Sequence, residues 1–467
     1  MIIGSALFMQ MLDSTVIANA LPTMARSLHE DPLTLNVAIT TYLLASAVFL
    51  PISGWAADRF GARRVFSLAI ALFAISSMAC GLSQNLAELV GARLVQGMAG
   101  AMMAPVGRLV LLRSVPKSEL VRAMTWLTVP VMLGPILGPP LGGFIVTFAS
   151  WRWIFFINLP IGVLGVVLVR MFIRDVREEN PPPLDWRGFL LTGFGFAGIV
   201  YGFQNLGRGA LPFTVVAALL AGGAICLALY PRHARRTPHA ILDLSLLRLP
   251  TFVASTIGGA FVRIAVGGTP FLLAMLLQMG LGLSAFTAGL MTFASGAGAL
   301  AMKTTARPIL ERFGFRSVLV VNTIAAAAMV ASYSLFGAHT PHWLIFLTLL
   351  TGGFFNSLQF TALNAIGYAD IEHHRMSRAS SLASMAQQLA QSVGIGFAAI
   401  LIGVVRGIRH SPAMTTADVS PVFVILALVS LPALGFFARL TPEAGAELSG
   451  GQRPVASPTA ALEETAP

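Results

Sequence analysis

Apolar stretches about twenty residues long recur from one end of this chain almost to the other. A helix of roughly 20 residues crosses the ~30 Å hydrocarbon core of a bilayer, so runs of this length read as membrane spans. Composition agrees: 56% of the 467 residues are apolar and 10% are charged, whereas a soluble domain carries about 25% charged residues. The bilayer is the solvent, and the chain is predicted to be an all-α polytopic membrane protein.

Breaks at charged, proline-rich and glycine-rich punctuation divide the sequence. They give six spans near 1–21, 36–56, 65–83, 87–112, 122–147 and 152–172. A charged connector containing Pro181, Pro182 and Pro183 follows, then two spans near 188–206 and 211–230. After a second basic connector come six more, near 251–279, 286–306, 316–336, 342–366, 378–404 and 420–438. The expected organisation is therefore a six-helix bundle over 1–174, a connector with two extra spans over 175–249, a second six-helix bundle over 250–440, and a disordered tail over 441–467. The first run reads as a helix rather than a signal peptide, because no basic region and no small-residue cleavage site accompany it.

A net charge of +11 in a soluble protein would point to nucleic acid, so the position of the basic residues decides. Alternate loops and the tail hold 22 Arg or Lys, and the opposite loops hold five: Arg26, Arg152, Arg208, Arg406 and Arg409. Basic residues are retained on the cytoplasmic side. That asymmetry predicts an even number of spans with both termini cytoplasmic, and no nucleic-acid partner.

The chain also repeats itself. Asp58-Arg59-Phe60-Gly61-Ala62-Arg63, after the second span, matches Glu311-Arg312-Phe313-Gly314-Phe315-Arg316 after the tenth, and Arg122 and Gly138 recur as Arg378 and Gly394. Two homologous bundles with two spans inserted between them is the economical reading.

Few charges remain at membrane depth: Asp13, Arg93, Arg108 and Arg263. A charge in a span costs at least ~2.5–3.5 kcal/mol and by default marks an ion or substrate path. Asp13 is the one carboxylate well inside a span and the candidate proton carrier. Arg93 is its candidate partner, able to hold the ionised carboxylate in one state and release it in another. The fifth span is crowded with Pro130, Gly134, Pro135, Gly138, Pro139, Pro140, Gly142 and Gly143. Small residues four apart permit close helix approach and prolines bend the axis, which suits a hinge or gate. Asn19, Gln96, Gln278, Asn356, Gln359, Asn364, Gln387 and Gln388 are amides within apolar spans. They are candidates either for lining a cavity or for joining helices. Histidines lie in loops or at span ends, Cys80 and Cys226 form no ligand spacing, and no phosphate-cradling loop occurs. No metal site, no cofactor and no ATP-driven or enzymatic chemistry is expected.

These segments resemble the major facilitator superfamily, in particular its fourteen-helix drug:proton antiporters of the EmrB/QacA type. The loop motif Gly-x-x-x-Asp-Arg-x-Gly-x-Arg-Arg is present as Gly54, Asp58, Arg59, Gly61, Arg63 and Arg64, and Arg-x-x-Gln-Gly as Arg93, Gln96 and Gly97. The antiporter motif Gly-x-x-x-Gly-Pro-x-x-Gly-Gly is present as Gly134, Gly138, Pro139, Gly142 and Gly143, and Leu-Asp-x-Thr as Leu12, Asp13 and Thr15. Stretches such as Trp153-Ile154-Phe155-Phe156-Ile157-Asn158 look similar to MdtD-like multidrug transporters. Two departures stand out. The asparagine usual to the first span falls at Asn19 rather than at Ala18, about 100° around the helix, and Ala390 and Gln391 occupy the places of Gly134 and Pro135 in the second half.

The resemblance implies alternating access in a bacterial inner membrane: two bundles rock about a central cavity, the proton gradient drives exchange through Asp13, and a small amphiphilic substrate leaves. Asp13 is alone as a carboxylate and Arg263 biases the cavity toward neutral or anionic cargo. Some relatives feed a periplasmic adaptor, which no feature here requires. The alternatives are a proton-coupled carrier of one metabolite and, more remotely, a membrane scaffold or sensor without turnover.

Overall fold

A computed structural model describes residues 2–30, 32–173, 183–206, 211–283, 285–410 and 415–449, and every regular element among them is helical. The first half comprises α1 (Ile2–Leu28), α2 (Pro32–Phe49) continuing through a tight turn into α3 (Ser53–Phe60), α4 (Ala62–Leu82), α5 (Leu86–Ser114), α6 (Leu120–Phe148), and α7 (Trp153–Phe156) leading into α8 (Asn158–Phe172). Next come α9 (Trp186–Asn205) and α10 (Phe213–Arg236). In the second half α11 (Pro250–Val253) and a π-helical turn feed α12 (Gly259–Ala274), followed by α13 (Ala285–Ser332), α14 (His342–Ile366), α15 (Met376–Arg409), α16 (Thr416–Ser430), α17 (Ala433–Phe437) and the short α18 (Ala446–Ser449).

Ten helices among the described residues are long and apolar enough to cross a membrane, which makes this a multi-pass membrane protein. Length and apolarity alone do not reach the fourteen crossings read from the sequence. The run Thr287–Leu335 is one continuous stretch by hydrogen bonding, and α1 and α6 contribute only the shorter apolar pieces Ile2–Ile17 and Leu120–Val131.

The two matching sequence motifs make the same turn. Gly61 breaks the path between α3 and α4 at φ 90°, and Gly314 breaks α13 at φ 71°. Positive φ is strained for any residue with a Cβ, so a glycine at each point lets the chain reverse within one residue. The helix pairing repeats as well. The glycine-bearing face of α6 lies against Met11, Thr15 and Val16 of α1, and a Cβ on Gly138 would land on the Thr15 hydroxyl. At the equivalent place in the second half, a Cβ on Gly394 of α15 would strike the Ile264 carbonyl of α12. Close backbone approach is what small residues confer where lipid supplies no hydrophobic drive for helices to associate. Gly138→Val should therefore lower the melting temperature in detergent by an amount corresponding to about 1–3 kcal/mol of overpacking. Thr15→Ala in the same protein should recover part of that loss, because it removes the atom in the way.

The apolar core shows how the halves meet. One cluster, including Phe66, Val106, Leu109 and Leu127 of the first half and Phe252, Leu310, Ala362 and Met376 of the second, crosses between bundles at the end carrying Asp58. Toward the far end it gives way to two separate clusters, one around Leu12, Leu35 and Phe155 and the other around Leu276, Tyr333 and Phe423. Among the described residues the bundles are joined at the Asp58 end and separate at the other. The inserted α9 lies on this seam: Phe189, Phe196 and Val200 pack with Ala47 and Leu50 of the first half and Met385 of the second. Its neighbour α10 is peripheral, with Phe213, Ile225 and Leu229 exposed.

The tail begins later than the sequence suggested. Residues 441–449, expected to be disordered, fold back through turns into α18, whose Leu448 is fully buried in the cluster that crosses both halves. One leucine among polar and small residues gives no periodic signal. The remainder of the tail, like much of the first connector, lies outside the described residues.

Beyond the spans, Arg375 clasps the second connector to the start of α15, with its Nη2 2.8 Å from Asp243 Oδ2. Burial opposes the Asp243 charge, but hydrogen bonds from Ser245 and Arg375 outweigh it and hold the carboxyl below its ordinary value. A depressed folded-state pKa gives stability that is present above the unfolded value, about 3.9, and is lost as pH falls. Parent protein should melt above Asp243→Asn at pH 6, and the gap should close below about pH 4.

Candidate functional site

The site is assembled by four elements of the first bundle. Asp13 projects from the middle of α1, Arg93 and Gln96 from α5 one turn apart, Asn158 from the first residue of α8, and Tyr42 from α2. Arg93 Nη1 donates to Asp13 Oδ2 at 2.7 Å and to Gln96 Oε1 at 2.6 Å. The other carboxylate oxygen accepts from Gln96 Nε2 at 3.0 Å and from Asn158 Nδ2 at 3.1 Å. Asn158 also donates to Ser77 Oγ, 2.9 Å away, which in turn donates to the Phe155 carbonyl at 3.0 Å. The Arg93 guanidinium sits 4.4 Å from the centre of the Tyr42 ring, a cation–π contact, and the Tyr42 hydroxyl meets Gln10 Nε2 at 3.3 Å.

Asp13 and Arg93 are each 1% exposed. Removing one partner of such a buried pair strands the other charge at a cost of about 3–5 kcal/mol, so the pair stands or falls together. Among the described residues the side chains that meet the Asp13 oxygens are all donors, and the three N–H groups come from three side chains on two helices. Three of the roughly four acceptor positions of this carboxylate are taken, and the donors belong to helices that a movement of α1 against α5 and α8 would carry away. That geometry links the hydrogen bonding of the carboxylate to helix position.

At the Asp58 end the halves are latched by hydroxyls and short side chains. Asp58 accepts from Arg113 Nη2 at 3.0 Å within the first bundle and from the Ser377 hydroxyl of α15 across the seam. Ser53 and Ser381 meet Oγ to Oγ at 2.9 Å, Ser380 donates to the Pro105 carbonyl at 2.9 Å, and Arg108 Nη1 reaches the Tyr368 hydroxyl at 3.4 Å. A Cβ on Gly54 would stand 2.7 Å from Ser381 Oγ, so glycine is required for this approach. Within the loop motif Arg59 and Arg64 are exposed, and Arg63 reaches the Ile173 carbonyl at 3.4 Å.

The remaining sequence candidates divide. Gln96 joins the Asp13 network, Arg263 is buried in the second bundle, and Asn356 and Gln387 are half-buried, each with an oxygen that finds no partner in the protein. Gln359 does not line a cavity: it is fully buried and turned to α13, where Asn322 donates to its oxygen at 2.7 Å and its nitrogen donates to Thr323 at 2.8 Å. Gln278 is exposed in the π-helical turn that ends the α12 run. Gly134, Gly138 and Gly142 form the contact with α1. The side-chain surroundings of Asn19, Pro135, Pro139 and Gly143 lie outside the described residues.

Three participants were not singled out from sequence. Asn158 is a lone amide at the end of an aromatic run, visible only as part of a family-like stretch. Tyr42 carries no charge and reads as an apolar-span residue. Lys303 falls outside the set of membrane-depth charges because it stands three residues from the end of the expected tenth span, whereas the helix continues to Gly314 and leaves the lysine 9% exposed and bonded to Thr361 Oγ1 at 2.7 Å. No group of three or more potential metal ligands occurs among the described residues.

Two repeated helical bundles in a membrane, latched at one end over a buried charged site, define a secondary transporter. The description "Major Facilitator Superfamily" matches residues 3–395 and, overlapping, 255–464. The chain is 38% identical over 438 residues to "Putative multidrug resistance protein MdtD" of Serratia proteamaculans, covering 93% of this chain and 92% of the relative. It is 40% identical over 403 residues to the protein of that name in Salmonella heidelberg, with 86% and 85% covered. Solved structures share the fold. The human organic anion transporter MFSD10 (TETRAN) aligns with a TM-score of 0.65 at 15% identity, covering 93% of this chain and 98% of that one. The proton:xylose symporter XylE aligns with a TM-score of 0.65 at 16% identity, covering 96% of each. The chain belongs to the Major Facilitator Superfamily.

Proposed function

We propose that this protein is a proton-coupled antiporter that exports small amphiphilic molecules across a bacterial inner membrane by alternating access. The single observation that carries the reading is the buried Asp13–Arg93 pair, a titratable carboxylate whose donors come from helices able to move apart. Resemblance to the MdtD relatives supports drug-like cargo. The domain plan in this reading is two six-helix bundles, 1–174 and 250–440, with two further spans over 175–249, fourteen crossings in all. Both termini face the cytoplasm, since the Asp58 end carries most of the loop basic residues. The latch at Asp58 then closes the cytoplasmic side and the arrangement faces outward. In this cycle Asp13 takes a proton from outside, the bundles rock, and release of that proton to the cytoplasm accompanies cargo loading. The proton gradient supplies the energy, with no cofactor and no obligatory adaptor.

Protein reconstituted in liposomes, given a proton gradient and a lipophilic fluorescent dye, tests this. Dye should move uphill against the proton flow and stop when an ionophore collapses the gradient. Dye movement indifferent to the ionophore would refute proton coupling.

A further inference from the structure

The second bundle holds two buried cations that no carboxylate among the described residues pairs with. Arg263 is 4% exposed and Lys303 9% exposed. Arg263 donates to the Ser255 carbonyl at 2.7 Å and to Asn364 Oδ1 at 3.3 Å, and its Nε has no partner. Lys303 donates to Thr361 Oγ1 at 2.7 Å. The first bundle treats its buried cation differently, since Arg93 faces a carboxylate. Cations in a membrane-spanning segment are costly, and neutral acceptors neutralise neither charge.

The placement of these cations is specific. Thr361 and Asn364 are three apart on α14, so the two charged heads, arriving from α13 and α12, are held one turn apart on one helix face. Arg108 of the first bundle, on its Tyr368 contact, is close enough to act on Arg263 electrostatically. Beside them the Phe360 ring lies 5.8 Å from the Arg263 guanidinium, and Asn356, one turn before Phe360 on α14, has a buried oxygen without a partner. A guanidinium without a counter-ion beside an aromatic ring, with an ammonium anchored one turn away on α14, suits one ligand chemistry: an anionic group on an apolar body.

We propose that Arg263 and Lys303 bind the anionic group of the cargo, so that the transported class is amphiphilic organic anions. This rests on the transporter reading above and narrows its substrate. Both heads are anchored within the last two turns of α14, near the latched Asp58 end, which places the anion where it loads when that end opens.

Equilibrium binding tests the inference without requiring turnover, so its failure stays separate from failure of proton coupling. Full-length protein in phosphatidylcholine nanodiscs, which present no net lipid anion, would be titrated with carboxyfluorescein (anionic) and rhodamine 6G (cationic) by fluorescence anisotropy. The parent should prefer the anionic dye. Arg263→Gln and Lys303→Met should each weaken carboxyfluorescein about tenfold or more while leaving rhodamine 6G unchanged or tighter. Arg263→Lys, which keeps the charge, should retain the preference. Melting curves exclude misfolded variants, and Lys303→Met serves alone if Arg263→Gln does not fold. Equal affinity of the parent for both dyes, or an unaltered anion preference in the folded charge-removing variants, would overturn the proposal; a purely structural Arg263 would change melting and not charge selectivity.

Discussion

Asp13→Asn should reduce gradient-driven efflux to equilibration. For one proton exchanged per cargo molecule with the membrane potential clamped at zero, each unit of pH difference is worth about 1.4 kcal/mol, so a gradient of two units sustains a cargo ratio of roughly 100. An amide cannot carry the proton, and the expected ratio falls to about 1 while the rate of downhill exchange persists. Asparagine keeps the shape and one acceptor oxygen for Arg93, so folding should suffer less than in Asp13→Leu, which leaves Arg93 buried and unpaired at about 3–5 kcal/mol. Adding Arg93→Gln to Asp13→Leu should recover stability without restoring uphill transport. That split between stability and coupling is the informative result. If Asp13→Asn still builds the parent's ratio, the proton travels elsewhere. Asn158→Leu provides a milder companion: it removes one of the three donors and should shift the pH dependence of transport rather than abolish it.

The parts of this site that were legible in sequence were those that an apolar solvent makes expensive. Asp13 and Arg93 stand out because almost nothing else charged lies at their depth, and Gly61 and Gly314 because the turn motif repeats where a positive φ is needed. What was not legible is azimuth. Gln359 and Asn356 lie three residues apart on α14, yet one is spent joining α13 while the other keeps an unpaired oxygen. Asn158 and Gln278 are both single amides near span ends, and only the packing of α8 on α4 and α1 turns the first toward Asp13. Lys303 was obscured by a different cause. Thr304, Thr305, Arg307 and Pro308 read as the exit from the membrane, whereas proline is tolerated and the helix carries on to the glycine. The lysine consequently looked like one more basic loop residue, when its ammonium is held inside the bundle.

The latch supplies the second large effect. Alternating access requires the Asp58 end to part, and beside the apolar cluster that crosses there it is held by short polar contacts: Ser53 with Ser381, Ser377 with Asp58, and Ser380 with the Pro105 carbonyl. The two neutral hydrogen bonds contribute about 0.5–1.5 kcal/mol each and the one to the Asp58 carboxylate about 1.5–3 kcal/mol, contacts that can form and part within a cycle. A covalent bond across it should arrest the cycle. In a background with Cys226→Ser, where the remaining Cys80 is buried, Ser53→Cys with Ser381→Cys places two thiols where two hydroxyl oxygens now lie 2.9 Å apart. A disulfide needs its sulfurs at about 2.05 Å, a small adjustment between two helix ends. Oxidation should abolish dye efflux, reduction should restore it, and neither single variant should respond to oxidant. If the doubly substituted protein is fully cross-linked and still transports at the parent rate, the bundles do not separate at this end and the latch is only a structural contact. If transport stops and returns with reductant, the closure belongs to the cycle. The buried cations of the second bundle, anchored on α14 near the latched end, would then become exposed to the cargo each time it opens.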